Sequence, residues 1–429
     1  MYFPNTHPGK KMGVINIEDV RPGMVLDRDL RPPQGRVLLK GGQAVGEEHL
    51  RICRIWGVAE ADVRGVSAAQ AKQSALESLD PDVLNILRLL AEWRFKATDR
   101  RHPAVRGLVR VFLERNARGL SRACAREAAV RLRGPKPTPG EMPPPQPPLD
   151  CEEMLGREQE LASLPAVFNE IVEAVKSPRS SASHVAEVIG RDQSLSARLL
   201  RIVNSPFYGF SGRVDTLQRA VAIVGTIQIT NLALGIAVTT VFSGIPPEFL
   251  DMRAFWEHSV SVGVLARLLA THVGTGGEER MFVAGLLHDV GRLAVFRNFP
   301  EHARRMVLLG AAECEPMDAL ERREWGVSHA RVGSLLMAQW QLPENLQRVV
   351  DCHHAPGRAE APAEAALVHV ADLVAHALAL GHSGTRRVPP LDPAAWKRLG
   401  IQPSLLPSLA AQAESQMRDI LKILLDDDA

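Results

Sequence analysis

Tyrosine occurs only twice in these 429 residues, and all aromatics together make up 5% of the chain. So few rings suit a core of Leu, Val and Ala, packed helix against helix. Cysteine is scarce as well. Cys53, Cys124, Cys151, Cys314 and Cys352 show neither metal-binding nor disulfide spacing, which makes a reducing cytoplasm the expected location. No charge of one sign dominates, and a net charge of +2 assigns no partner. The opening MYFPNTHPGKKMG lacks the apolar core of a signal peptide. Residues 220–247 carry no charge at all, yet Gln228, Asn231 and four threonines interrupt them and Gly225 and Pro246-Pro247 punctuate them. The expectation is a buried helix and no membrane span.

The length allows two or three domains. Eight of the sixteen residues from Gly134 to Leu149 are proline, which predicts an extended linker at 134–149. Ahead of it, 14–66 alternates apolar and polar residues around Gly41-Gly42, with a helix predicted near Glu47–Trp56. Residues 67–133 read as a basic helical segment in which Asp80-Pro81 opens one helix and Val105, Leu108, Val109 and Phe112 line another. Within it, 94–136 holds 13 Lys and Arg against 3 Asp and Glu, with Arg118, Arg122 and Arg126 on one helical row. A solvated face is the expected reading. Nucleic acid, anionic lipid or an acidic partner is the second, and no aromatics interleave as a single-strand binder would want. Residues 403–425 predict an amphipathic helix that packs on the domain, with self-association second.

What the chain does hold is a series of histidines and aspartates at inward positions. His258 shares a stripe with Val262, Leu265, Ala266 and Leu269, and His288 follows Met281, Ala284 and Gly285 with Asp289 beside it. Ser328 predicts an N-cap that puts His329 in a first turn. His353, with His354 next to it, lies on the row of Leu346, Val349 and Val350, in a helix that Pro356 should end. Asp372 is inward with Val368 and Ala375. A single inward histidine is usually a satisfied core residue, but buried imidazoles and carboxylates without partners are unfavourable, and seven together predict a bound cation. Imidazole with carboxylate and no thiolate suits iron, manganese or zinc, often as two ions. Cys352 is expected to be a small buried hydrophobe, not a ligand.

The string GLLHDVGR at 285–292 resembles the signature of HD-type metal-dependent phosphohydrolases. LASLPAV (161–167), HVAEVIGRDQSLSARLLRI (184–202), VNSPFYG (203–209) and AVAIVG (220–225) narrow the resemblance to the HDOD family, the HD-related output domain of bacterial signalling proteins. The resemblance covers about 155–385. It implies a mainly α fold, with an HDOD-type helical domain at 150–385 and a helical extension at 386–429. Segment 14–66 resembles the small β-rich module that precedes some HD-type signalling domains.

Carried over position by position, the resemblance makes His258, His288, Asp289, His329, His353, His354 and Asp372 metal ligands. Asp289 would bridge two ions, and Arg292 would grip phosphate. After His354 comes APGRAE, without the Gly-Tyr-Pro of HD-GYP cyclic-di-GMP phosphodiesterases, and Arg292 stands where those enzymes carry lysine. The expected function is therefore a signalling output or regulatory module with a protein partner, and a nucleotide ligand or a homo-oligomer as further expectations. The second reading is a dinuclear phosphohydrolase acting on a nucleotide or cyclic dinucleotide.

Overall fold

The computed structural model describes residues 14–425 except 18–19, 32–36, 56–57, 59, 65–79, 118–121, 134–141, 162–165, 177–180, 211, 243 and 314. The first half of the proline-rich linker, Arg118, Cys314 and the centre of LASLPAV thus lie outside the described residues. The chain is mainly helical.

Among the described residues, the segment at 14–66 is not β-rich. Strands β1 (Val14–Asn16) and β2 (Glu60–Asp62) pair antiparallel with Ile15 opposite Ala61, and helix α1 (Glu47–Ile55) lies between them. Elsewhere the expected strands reduce to single bridges, Val25–Ala44, Leu26–Val63 and Leu30–Leu39. The apolar alternation serves a small separate core instead, with Ile15, Ile17, Leu26, Val45, Leu50 and Cys53 buried together.

From Val83 to Leu424 a second core is continuous, so helices on both sides of the linker share it. Helix α2 (Pro81–Arg94) starts where Asp80 accepts the Asp82 N–H, with proline at the first helical position, and buries Val83, Leu87, Leu90 and Ala91 at helical spacing. Helices α3 (Pro103–Ala117) and α4 (Arg122–Arg133) follow. Arg126 is exposed as a solvated face requires, but Arg94 is buried, which the charge count could not foretell. The linker residues from Met142 onward do not stand free. Pro143 O accepts from Arg305 (2.6 Å), and the Leu149 N–H donates to Trp325 O (2.8 Å).

Six helices form the upstream half: α5 (Cys151–Leu161), α6 (Ala166–Lys176), α7 (Ala182–Gly190), α8 (Gln193–Val203), α9 (Leu217–Val224) and α10 (Thr226–Thr239). The uncharged stretch becomes α9 and α10, bent by 118° at Gly225, and every residue from Ile229 to Val238 is buried. No single described helix is long and apolar enough to cross a membrane, although this bent pair passes together by length and composition.

The downstream half carries the histidines. It comprises α11 (Met252–Val273), α12 (Glu278–Leu287), α13 (Val290–Asn298), α14 (Pro300–Ala312), α15 (Met317–Trp325), α16 (His329–Gln339), α17 (Glu344–Cys352), α18 (Pro362–Leu378), α19 (Pro393–Leu399) and α20 (Leu406–Leu425). As its spacing predicts, α20 packs on the body through Leu409, Ala413, Met417, Ile420 and Leu424.

Two glycine contacts draw the histidine helices together. A Cβ on Gly285 would sit 2.6 Å from Gly263 N, so α11 and α12 touch backbone to backbone; a Cβ on Gly291 would sit 2.2 Å from His329 O, so α13 meets α16 in the same way. Both Gly285 and Gly291 belong to GLLHDVGR. At the far end of α18, Arg94 donates to His376 O and Arg115 to Leu378 O (2.7 Å), two cations on the carbonyl end of one helix.

A candidate metal centre

All seven sequence-predicted ligands converge. The dyad does not lie on one continuous helix face, however. His288 caps the C-terminus of α12 and Asp289 opens α13, while His353 caps α17. Helix ends suit the task because their last carbonyls lack intrahelical donors. The His288 Nδ1–H meets Gly285 O (2.7 Å) and the His353 Nδ1–H meets Val350 O (2.7 Å), each three residues back. Those bonds place the proton on Nδ1 and leave the Nε2 lone pair facing inward.

His329 is fixed in the same sense by a residue that the sequence reading missed. Glu321 on α15, wholly buried, accepts from both the backbone N–H (2.8 Å) and the ring Nδ1–H of His329. A carboxylate behind a ligating imidazole sets the tautomer and raises the basicity of the other nitrogen. Ser328 caps α16 as predicted, its hydroxyl oxygen accepting from the Arg331 N–H.

The inward atoms form two groups. At one end, Asp372 Oδ1 lies 3.2 Å from His258 Nε2, 3.3 Å from His376 Nε2 and 3.8 Å from His288 Nε2. At the other, His329 Nε2 lies 3.0 Å from His354 Nε2 and 3.4 Å from His353 Nε2. Asp289 spans the two, with Oδ2 3.2 Å from His288 Nε2 and Oδ1 2.8 Å from His329 Nε2. Metal–ligand bonds of about 2.0–2.2 Å place neighbouring donors about 2.9–3.6 Å apart, and most of these separations fall in that range, with Asp289–His329 at 2.8 Å and His288–Asp372 at 3.8 Å just outside it.

Hydrogen bonding does not account for the arrangement. His258 Nε2, His288 Nε2, Asp289 Oδ1 and Asp372 Oδ1 are buried and have no aligned hydrogen bond among the described residues. At the His329 end, His329 Nε2 faces both His354 Nε2 (3.0 Å) and His353 Nε2 (3.4 Å), and one Nε2 proton can serve only one of them. Unpartnered donors of this kind fit a cation.

Protonation agrees in part. Burial favours neutral acids, but Arg292, His288 and His329 outweigh it and hold Asp289 well below the usual carboxylate range. His376 and His258 do the same for Asp372. Burial drives His354 and His376 well below the ordinary imidazole value and His353 down to about 3, so these rings are neutral. His329 differs. Burial and Arg292 oppose its charge, yet Glu321 and Asp289 raise it to about 9, so a metal binding there releases a proton.

Arg292 has a different surrounding from the one expected of a phosphate grip. Its side chain is buried, with Nε donating to Glu321 (2.9 Å) and Nη1 to Asp289 (2.9 Å) and Ser383 (2.6 Å to Oγ, 3.0 Å to O), while Nη2 faces the His329 ring at 3.1 Å. The guanidinium clamps three elements and balances the two carboxylates. Cys352 is half-buried and its thiol pKa is pushed up by burial and Asp351, consistent with a bystander. His369 is a satisfied core histidine, with Nδ1 donating to His353 O (2.9 Å) and Nε2 accepting from the Asp392 N–H (2.9 Å).

Sequence reading also missed His376. Its signal was available, since it stands one helical turn after Asp372 and reaches the same group. Glu321 offered none, lying in the polar run ERREW with no periodicity to mark it as inward.

Beside the cluster is a cavity of about 20 Å³, lined on its inner side by Asp289, Arg292, His354, Asp372 and His376. That volume holds one or two waters. Its outer wall includes Ala97 after α2 and Thr385, Arg387 and Pro389 after α18. The Val388 N–H donates to Arg94 O (2.8 Å) and Arg387 covers the Trp93 ring at 4.7 Å, so α2 and the segment after α18 pack on each other along this wall.

Three known proteins resemble parts of the chain. An uncharacterized protein of Treponema pallidum (strain Nichols) is 27% identical over 201 residues, 46% of this chain and 38% of its own length, so the chain spans well under half of that relative. An HDOD domain protein of unknown function from Geobacter sulfurreducens is 24% identical with a TM-score of 0.49, covering 65% of this chain and 99% of its own. A protein named as a candidate phosphohydrolase from Shewanella amazonensis SB2B is 24% identical with a TM-score of 0.48, covering 63% and 98%. The model of the HDOD domain matches residues 161–356, which hold every predicted ligand except Asp372. Over residues 161–356, a little under half of its length, the chain is therefore similar to the HDOD domain.

Proposed function

We propose that this chain is a regulatory metalloprotein, the output module of a signalling system, in which His258, His288, Asp289, His329, His353, His354 and Asp372 hold two divalent ions. Iron, manganese and zinc fit the nitrogen and oxygen donors. Asp289 is the bridge, and Arg292 with Glu321 fixes the bridge and His329 from behind. The observation that carries the reading is the combination of two donor groups sharing Asp289 with a cavity of only about 20 Å³. So small a space beside the donors has room for a water and not for a whole nucleotide, so occupancy acts on shape and partner binding. The module is proposed to work in the cytoplasm through a protein partner, and the basic segment 94–136 is not assigned to nucleic acid.

The unbroken donor series supports a second reading, a metal-dependent phosphohydrolase acting on a nucleotide or cyclic dinucleotide. Bound ions would supply Lewis acidity toward phosphate and a more acidic bound water. The protein would then have to open at Thr385–Pro389 to admit substrate, and Asp289 would remain the shared ligand.

Elemental analysis of purified protein, run beside a phosphodiesterase screen on wild type and Asp289→Ala, separates the readings. Regulation predicts about two ions in the wild type, a large loss in Asp289→Ala, and no hydrolysis by either. Metal content unchanged in the variant refutes the bridge, and turnover abolished by the substitution puts the enzyme first.

A further inference from the structure

Resting on the two-ion reading, we propose that His376 is an additional ligand of the ion at the Asp372 end. Three observations carry it. First, His376 Nε2 stands 3.3 Å from Asp372 Oδ1, the same spacing as His258 Nε2 at 3.2 Å, and the His376 and His258 rings are 4.4 Å apart. His258, Asp372 and His376 together offer three donor atoms mutually within 4.8 Å. Second, Asp372 Oδ1 is buried among three imidazole nitrogens and is hydrogen-bonded by none of them, and His376 Nδ1 has no partner among the described residues. Donors that crowd one oxygen without bonding to it are arranged for a shared cation.

The third observation is an internal contrast. His369, two helical turns before His376 on α18, has both nitrogens satisfied by backbone. The same helix therefore treats a structural histidine in a visibly different way. The backbone of His376 is also held in place, because Arg94 donates to its carbonyl oxygen.

The consequence is an asymmetric pair of sites. His258, His288, Asp289, Asp372 and His376 give five protein donors at one end, while Asp289, His329, His353 and His354 give four at the other. The ion at the Asp372 end thus has one more protein donor than its neighbour, and the two are expected to differ in affinity.

The test uses the full chain, stripped with chelator and titrated with cobalt(II) while the d–d absorption and final stoichiometry are recorded. Wild type is expected to take two equivalents. His376→Phe, which keeps the ring shape without a donor, is expected to weaken one equivalent by at least about ten-fold and change its absorption band, leaving the other equivalent unaltered. In His376→Ala, free imidazole is expected to restore the band, and this variant carries the test if the phenylalanine substitution fails to fold by circular dichroism. Affinities and spectra identical to wild type in both variants would overturn the ligand role and leave the two-ion reading intact. Wild type that binds no cobalt would overturn both.

Discussion

Around His329, His353 and His354, ring nitrogens are tied from behind: Glu321 holds His329, and Val350 O holds His353. Around His258, Asp372 and His376, the Nδ1 atoms of both histidines have no partner among the described residues. One end is preorganised chiefly by hydrogen bonds that exist without metal, whereas at the other only His288 is held that way, through Gly285 O, and the rest relies on helix packing, above all the backbone contact at Gly263 and Gly285 and the arginine-capped end of α18. The lesson is that convergence of ligands and orientation of ligands are separate structural problems. This protein solves the first with glycine and the second, at one end only, with a buried carboxylate.

The comparison breaks most severely at Gly291. An added methyl would lie 2.2 Å from His329 O and 2.5 Å from Gly333 N, backbone atoms that cannot rotate aside. Gly291→Ala is expected to force α13 from α16, destabilise the fold by about 1–3 kcal/mol or more, and detach His329 from Asp289. Thermal unfolding and ion stoichiometry read the two effects. Gly357→Ala, with nothing within 4 Å of the new methyl, is the control. A melting temperature unchanged at Gly291 would mean that the helices part without loss.

Glu321→Gln has a narrower effect. The amide keeps an acceptor for the His329 N–H but removes the charge that raises ring basicity. Metal affinity at the His329 end is expected to fall about 10–100-fold, while the Asp372 end holds its ion. Equal weakening of both equivalents in a metal titration would show that the ends are not independently built.

Much of this site was legible in the sequence because metal ligands are charged or polar residues set against apolar periodicity. His258, Asp372 and His329 were found that way, and Ser328 announced the start of α16. Convergence was implied by the resemblance, not by spacing, since no local pattern tells which helices pack. Glu321 was invisible for a physical reason: its partners, Arg292 and His329, lie 29 and 8 residues away on other helices, and its neighbours in sequence are charged. The N-terminal segment misled for another reason. Leu26, Leu30 and Leu39 join a small core through isolated bridges, so the same hydrophobic period does not require extended strands.

The smallest expected effect lies in the pH dependence of the metal-free protein. Burial and Arg292 oppose a charge on His329, but Glu321 and Asp289 prevail and its pKa stands at about 9. Burial, then His288 and His329, push His353 down to about 3. Unfolded histidine titrates near about 6.5. Between that value and 9 the folded state holds the extra proton on His329, so stability falls as pH rises. Between 6.5 and 3 the unfolded state takes the extra proton at His353, so stability falls as pH drops. Chelated protein is therefore expected to melt highest near neutral pH. Glu321→Gln should shrink the alkaline limb, because it removes a carboxylate that favours the charged ring, and should soften the acid limb as well, because His329 and Arg292 hold the Glu321 carboxyl below the usual range against burial; saturating metal should abolish the alkaline limb by displacing the same proton. Melting curves from acid to alkaline pH, with chelator and with metal, read both changes. An alkaline limb that survives both treatments would assign it to other groups and remove Glu321 from the comparison of the two ends.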